Sequence, residues 1–313
     1  MEQNKPVATI LMATYNGEKY VIDQIKSLLD QTYRPLEIIV IDDCSTDNTV
    51  DVIRRYCDSY DIGRLVTVKE SGLNKGVVKN FLDAINSFRD RKYIFLCDQD
   101  DYWQPNKVEL MMKKMLQLEN EDNMPYVLCH NYNIADENNN VIEQKEIGSV
   151  EFKDLIYHPQ IPGCCMMING LLIERLRVAS DKINMHDWYL SLVAGLLGKN
   201  VVLDEYLVNY RQHEDVVSGL KENKSSLEII NKYRRGAVVS NGNVLEAYYQ
   251  LLAFATVYSE YKNFSSLVES NKKHNYLNIA LWHKNNGITN FSKALKLATA
   301  LKTQKKYEQK IKE

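Results

Sequence analysis

The most chemically loaded stretch of this 313-residue chain is Asp98-Gln99-Asp100-Asp101, directly after the apolar run 93–97. Two carboxylates one residue apart both reach a hard divalent cation, and neither is comfortable buried and charged without a partner. Such a cation bridges a substrate diphosphate and neutralises the charge that builds on it as a bond breaks. An Asp-x-Asp is also a common helix cap or acidic turn. Asp42-Asp43 ends a second apolar run, 36–41, and makes the phosphate or metal reading the better one. A carboxylate there accepts from a ribose hydroxyl or a base N–H, unless it caps the next helix, for which Ser45 and Asp47 are better placed. Thr14-Tyr15-Asn16-Gly17 offers backbone N–H groups, a hydroxyl and an aromatic face, although alone it is only a turn.

The second half holds another acid. His186-Asp187-Trp188 opens a helical pattern, and a carboxylate at a helix N-terminus suits a general base, although a plain capping Asp has the same sequence. Arg211 can fork onto phosphate oxygens. His213 is a metal ligand, a phosphate contact or a surface residue.

The elements that position these residues follow from periodicity. Buried strands are expected at 7–13, 36–41, 65–68 and 93–97, each followed by a helical repeat of apolar residues. Strand–helix alternation predicts an α/β fold with a mainly parallel sheet flanked by helices. Ligands in such sheets bind outside the strand carboxyl ends, where Thr14, Asp42, Asp43, Asp98 and Asp100 all fall. Further strands are expected at 126–129, 164–168, 201–203 and 206–210, and a long amphipathic helix at 244–261.

Composition narrows the class. Lys plus Arg number 39 against 41 Asp plus Glu, a net charge of −2 that argues against a nucleic-acid binder. No apolar run approaches the ~18–20 residues of a spanning helix, and Met1–Lys5 has no hydrophobic leader, so a cytoplasmic protein is expected. Six cysteines without a Cys-x-x-Cys pair read as buried thiols; adjacent Cys164 and Cys165, on opposite faces of a strand, would be poor joint ligands. The end of the chain, 271–313, holds ten lysines against Glu308 and Glu313. Its helical stripe at 291–301 either rests on an anionic membrane surface, at the inner face of the cell membrane, or is a solvated end helix. No P-loop, Gly-x-Gly-x-x-Gly, Gly-x-Ser-x-Gly or His-Glu-x-x-His occurs, which argues against an NTPase, a dinucleotide oxidoreductase, a serine hydrolase and a zincin.

Taken in order, Ala13-Thr-Tyr-Asn-Gly17, Ile41-Asp-Asp-Cys-Ser-Thr-Asp47, Asn74-Lys-Gly76, Asp98-Gln-Asp-Asp-Tyr-Trp103 and His186-Asp-Trp188 resemble glycosyltransferase family 2, inverting enzymes of the GT-A fold. The similarity covers roughly residues 5–215. With Met185-His-Asp-Trp-Tyr189 and Tyr210-Arg-Gln-His213 it looks like the bacterial rhamnosyltransferase branch that builds cell-wall, capsular or O-antigen polysaccharides. The resemblance implies a GT-A domain over 1–222, with a nucleotide-sugar half to about 103 and an acceptor half from 104, and a helical region over 223–313. It implies that Thr14, Tyr15, Asn16, Asp42, Asp43, Asn74, Lys75, Gln99 and Arg211 contact the nucleotide sugar. Asp98, Asp100 and His213 would serve Mg²⁺ or Mn²⁺, and Asp98 the donor as well. Asp187 would be the base, with Trp103, His186 and Trp188 lining the sugar and acceptor pocket.

Cys44 departs from the family, which most often has Gly or another small residue there. The expected donor is dTDP-β-L-rhamnose and the acceptor a saccharide hydroxyl, with a lipid-linked acceptor fitting the basic tail. A UDP-sugar donor, a nucleotidylyltransferase and a non-catalytic sugar-nucleotide-binding subunit are the alternatives; the second lacks its Gly-rich signature, and the third would not need Asp98, Asp100 and Asp187 together.

Overall fold

Apolar runs covered on both faces become the central strands, as their composition requires. In the computed structural model, which describes residues 5–156, 158–178, 183–213, 241–261, 264–273 and 275–285, β1 (Ala8–Thr14) is buried at all seven positions. It is flanked in parallel by β2 (Leu36–Asp42) and β4 (Tyr93–Cys97), and β3 (Val66–Glu70) pairs in parallel outside β2. Their carboxyl ends therefore share one edge, and Thr14, Asp42 and Asp98 stand on it. The sheet order is β3-β2-β1-β4-β8-β6-β9-β5. Here β5 is Tyr102–Trp103, β6 Tyr126–Ala135, β8 Met167–Asn169 and β9 Lys199–Arg211; β7 (Val141–Lys145) forms a hairpin with β6.

The helix α1 (Val21–Leu29) shows how packing and site are coupled. Val21, Ile25 and Leu28 recur at i, i+4 and i+7 and are fully buried. The same face carries buried polar groups that stitch the acidic segment in place. Gln24 Nε2 donates to Cys97 Sγ at 2.9 Å, and Trp103 N–H donates to Ser27 Oγ at 3.2 Å. Gln31 donates to Gln104 O and accepts from Val108 N–H at the start of α4 (Lys107–Glu121). The remaining helices of this unit are α2 (Thr49–Ser59), α3 (Val77–Ser87), α5 (Phe152–Leu155), α6 (Gly170–Arg175) and α7 (His186–Leu197).

Two expected elements differ. The pair of strands at 201–203 and 206–210 is one strand, β9: opposite consecutive His130 and Asn131 stand Leu203 and Tyr206, so polar Asp204 and Glu205 bulge out of the ladder without ending it. Residues 164–168 do not form one strand. Pro162, with φ near −63°, starts a 3₁₀ turn at Gly163–Cys165, and only Met167–Asn169 is extended. Cys164 and Cys165 consequently do not face opposite sides of a strand; their sulfurs lie 4.0 Å apart.

The chain divides into two compact units, the first drawn from Met1–Leu155, Pro159–Val178 and Met185–His213. The second contains α8 (Asn241–Val257), α9 (Phe264–Lys272) and α10 (Tyr276–Asn285). Its interior is aromatic: the rings of Phe254 and Phe264 meet edge-on at 5.7 Å, and Phe264 and Trp282 lie 5.7 Å apart. The expected boundary at 222 and the stripe at 291–301 lie outside the described residues. Among the described residues no helix is long and apolar enough to cross a membrane.

Candidate active site

The in-register pairing of β1 with β2 sets Thr14 beside Asp42, and Thr14 Oγ1 donates to Asp42 Oδ1 at 2.7 Å. Ser45 donates to the same carboxylate through its N–H (2.8 Å) and its hydroxyl (2.6 Å), so Asp42 spends its acceptors on holding its own loop. Asn16, at φ 48°, does the same from the facing loop: its Oδ1 accepts from Thr46 N–H at 2.8 Å. Gln99 bonds both backbone groups of Tyr15, accepting at 2.9 Å and donating at 3.0 Å. Gly17 leaves room for this junction, because a Cβ there would stand 2.1 Å from Gln99 Oε1 and displace that side chain.

Thr14, Asn16, Asp42 and Gln99 thus build a three-loop platform. The Tyr15 side is 44% exposed on it. Asp43 is buried and accepts from Lys75 N–H (2.8 Å) and Gly76 N–H (2.7 Å), while Asn74 Oδ1 accepts from Gly76 N–H. Lys75 Nζ pairs with Asp83. Cys44 adopts φ 64°, the left-handed region that favours glycine, which accounts physically for a small-residue preference at this position.

The acidic segment is crowded. Burial pushes the Asp98 carboxyl up to about 7, and the charges of Asp100 and Asp187 push it the same way; the Lys107 ammonium acts against them. Asp101 is buried and its carboxyl is raised well above the usual range by burial and by Asp100 and Asp98. Lys107 is fully buried, donates to Cys164 O at 2.5 Å and stands 3.4 Å from the centre of the Trp103 ring; burial lowers it to about 8. His213 Nε2 lies 2.9 Å from Asp100 Oδ2, and Arg211 N–H donates to Asp101 Oδ1 at 3.3 Å. One buried lysine does not offset three clustered carboxyls.

That excess, an oxygen-rich donor set with an imidazole at its edge, fits a hard or borderline divalent cation. Asp98, Asp101 and Cys164 also bring one ligand atom each within 4.8 Å of one another.

Asp187 sits in the first turn of α7, 7% exposed. Its Oδ2 accepts from Gly163 N–H at 3.1 Å and its Oδ1 from Trp188 N–H at 2.7 Å. A carboxylate has about four acceptor positions, so these two bonds orient the group and leave capacity for a hydroxyl proton. His186 is buried and stacked on Phe81 at 4.3 Å; burial lowers its imidazole, with Asp187 pulling the other way. The structure therefore brings Asp98, Asp100, Asp187, Arg211 and His213 into one neighbourhood from three parts of the chain.

The two tryptophans are a correction. Trp103 is wholly enclosed in the core, and Trp188 is 5% exposed with Nε1 donating to Leu155 O. Neither indole presents the open face that lining a pocket requires; their bulk fills the layers beneath it. Sequence reasoning missed Tyr20, Asp101, Lys107, Gly163 and Cys164. Asp101 was visible in its acidic run and Gly163 after Pro162. Lys107 carried no signal, since lysine is ordinarily exposed.

Comparison with known proteins agrees with this geometry. The family model Glycosyl transferase family 2 matches residues 9–175. The dTDP-rhamnosyl transferase RfbG of Shigella flexneri is 28% identical over 247 residues, 74% of this chain and 79% of that protein. The glucosyltransferase WfaP of Escherichia coli, which uses UDP-Glc and α-D-GlcNAc-diphosphoundecaprenol, is 28% identical over 69% of this chain and 81% of its own. Among solved structures, S. aureus TarS 1–349 with UDP-GlcNAc superposes at TM-score 0.53 with 17% identity, covering 97% of this chain and 92% of that one. The mannosyltransferase PcManGT of Pyrobaculum calidifontis, solved with GDP-Man and Mn²⁺, gives 0.54 at 14% identity over 95% and 87%. The shared architecture is the GT-A fold.

Proposed function

This chain belongs to glycosyl transferase family 2, and from that premise we propose that it is a metal-dependent inverting transferase that moves L-rhamnose from dTDP-β-L-rhamnose onto a hydroxyl of a growing bacterial surface polysaccharide. The observation that supports the reaction class is that the Asp187 carboxylate lies close enough to Asp98 for its charge to raise that group, which brings together acids from distant parts of the chain. A base and a diphosphate-handling acid that close to each other suit one displacement at one carbon.

In that reaction Asp187 takes the proton of the acceptor hydroxyl, with Gly163 and Trp188 N–H groups aiming its carboxylate. The oxygen attacks the anomeric carbon from the side opposite the nucleoside diphosphate, and inversion converts a β-L-rhamnosyl donor into an α-L-rhamnoside. Asp98 and Asp100, with His213 beside Asp100, would hold Mg²⁺ or Mn²⁺, which supplies charge stabilisation for the leaving diphosphate. Arg211 adds a fixed cation toward the same oxygens. Asp43 and the exposed ring of Tyr15 take the nucleoside, on the platform made by Thr14, Asn16, Asp42 and Gln99; Asn74 and Lys75 close the Asp43 side. Holding donor and acceptor in line supplies the orientational part of the barrier reduction.

The rhamnosyl donor rests on RfbG, and WfaP at equal identity favours a second reading, a UDP-hexose donor with a lipid-linked acceptor. Incubating the purified chain with dTDP-rhamnose, UDP-Glc, UDP-GlcNAc and GDP-Man in Mn²⁺ or Mg²⁺, and reading released nucleoside diphosphate, separates them. Release from dTDP-rhamnose alone supports the first reading. Release from a UDP-sugar alone replaces it with the second, and release from none in either metal removes the transferase assignment.

A further inference from the structure

Tyr20 belongs to none of the motifs, yet its neighbour Lys19 and, from the far end of β9, Arg211 and His213 converge on its ring. It precedes α1 as the N-cap residue and is 7% exposed. The His213 imidazole lies 4.6 Å from it, the Arg211 guanidinium 4.8 Å and the Lys19 ammonium 4.7 Å. The cluster is tied off at the β6–β7 turn: Arg211 Nη1 donates to Glu137 O at 2.9 Å, and Lys19 pairs with the Glu137 carboxylate at 3.1 Å. Arg211 Nε and His213 Nδ1 are buried and make no hydrogen bond among the described residues. A guanidinium and an imidazole are thus held against one aromatic ring with donor capacity unspent. An arginine left on an open strand end would sample many rotamers, whereas a ring beneath it selects one and favours the cation electrostatically.

We propose that Tyr20 is a positioning residue, whose ring seats the Arg211 guanidinium and the His213 imidazole against the diphosphate of the donor. The inference rests on the reading of Arg211 and His213 as diphosphate and cation contacts, and the test separates the two. Full-length Tyr20→Phe, Tyr20→Leu, Arg211→Ala, His213→Ala and Tyr20→Leu/Arg211→Ala are compared for kcat, for the KM of donor and acceptor, for UDP and dTDP binding with Mn²⁺, and for thermal melting.

Phe keeps the face and retains wild-type turnover, whereas Leu keeps an apolar filling without the π surface. Tyr20→Leu is expected to lower kcat about tenfold and to weaken nucleoside diphosphate binding, with acceptor KM unchanged. The double variant is expected to lose clearly less than the product of the two single losses, because part of the ring's effect passes through the guanidinium. Multiplicative losses in the double variant, or equal losses in Phe and Leu, overturn the proposal. If Arg211→Ala and His213→Ala both keep full turnover, the roles of those two residues fail first and Tyr20's falls with them. If they lose turnover and Tyr20→Leu does not, Tyr20 alone is discarded. Should Tyr20→Leu melt below the assay temperature, Tyr20→Met takes its place under the same criteria.

Discussion

His213 Nε2 stands 2.9 Å from Asp100 Oδ2, a contact that joins the end of β9 to the acidic loop after β4. Both side chains are largely enclosed. An imidazole there orients the carboxylate that, in the proposed reaction, would hold the cation of the donor diphosphate. His213→Ala should therefore raise the Mn²⁺ concentration needed for half-maximal turnover by about 10- to 100-fold, as losses of orienting metal-site partners do. An unchanged Mn²⁺ titration curve would remove His213 from the cation site.

Asp187→Asn preserves the size of the side chain, but the Gly163 and Trp188 N–H groups bond different carboxylate oxygens, so the amide keeps one of these contacts and turns its NH₂ toward the other donor. The base is lost, so transfer should fall by about 10²- to 10⁴-fold while calorimetry shows donor affinity nearly intact. Retained turnover would take the base role away from Asp187.

The raised Asp98 carboxyl carries a stability signature with a definite sign. Its folded value of about 7 exceeds the ordinary 3.8, so the folded state binds this proton more tightly than the unfolded chain. The stabilisation is complete below about pH 4 and is lost as pH rises through about 7. In EDTA, the melting temperature of Asp98→Asn minus that of wild type should be smallest near pH 4 and grow to a plateau above pH 7. Mn²⁺ should narrow the gap at high pH by stabilising the wild type alone. A difference that stays flat with pH would contradict this account.

Gly17→Ala places a methyl group against the Gln99 amide, 2.1 Å from its Oε1 before any adjustment. The obstacle is the end of a flexible side chain, so Gln99 swings away and the fold survives. What is lost is its pair of bonds to Tyr15. Donor KM should rise roughly 5- to 30-fold, the equivalent of one or two net hydrogen bonds, with melting changed little. A large fall in melting temperature with unchanged donor KM would assign Gly17 to stability and not to the nucleotide platform.

Cys44→Gly relieves a side chain held at φ 64°. Left-handed backbone costs an L-residue roughly 1–2 kcal/mol, and glycine's greater unfolded freedom returns part of it, so a net gain of up to about 1 kcal/mol is expected in urea unfolding. A loss of stability would mean that the thiol's packing outweighs the backbone term.

The parallel half of the sheet was legible because it is a local matter. Runs such as 8–14 and 93–97 have no polar face to offer water, and the loops that end them carry the acids; periodicity and a strand-end rule suffice to put Thr14, Asp42 and Asp98 on one edge. The order of motifs likewise pointed to the family that the match over residues 9–175 supports. The tertiary structure decided how those side chains spend their hydrogen bonds. Asp42 and Asn16 spend their oxygens on locking loops, and Trp103 fills the core beneath a buried ammonium. Tyr20, silent in sequence, collects Arg211 and His213 from the far end of the domain's chain. Residue type and spacing limit which groups can meet along one strand or helix. Which of them meet across the sheet depends on packing, and a sequence read locally does not contain it.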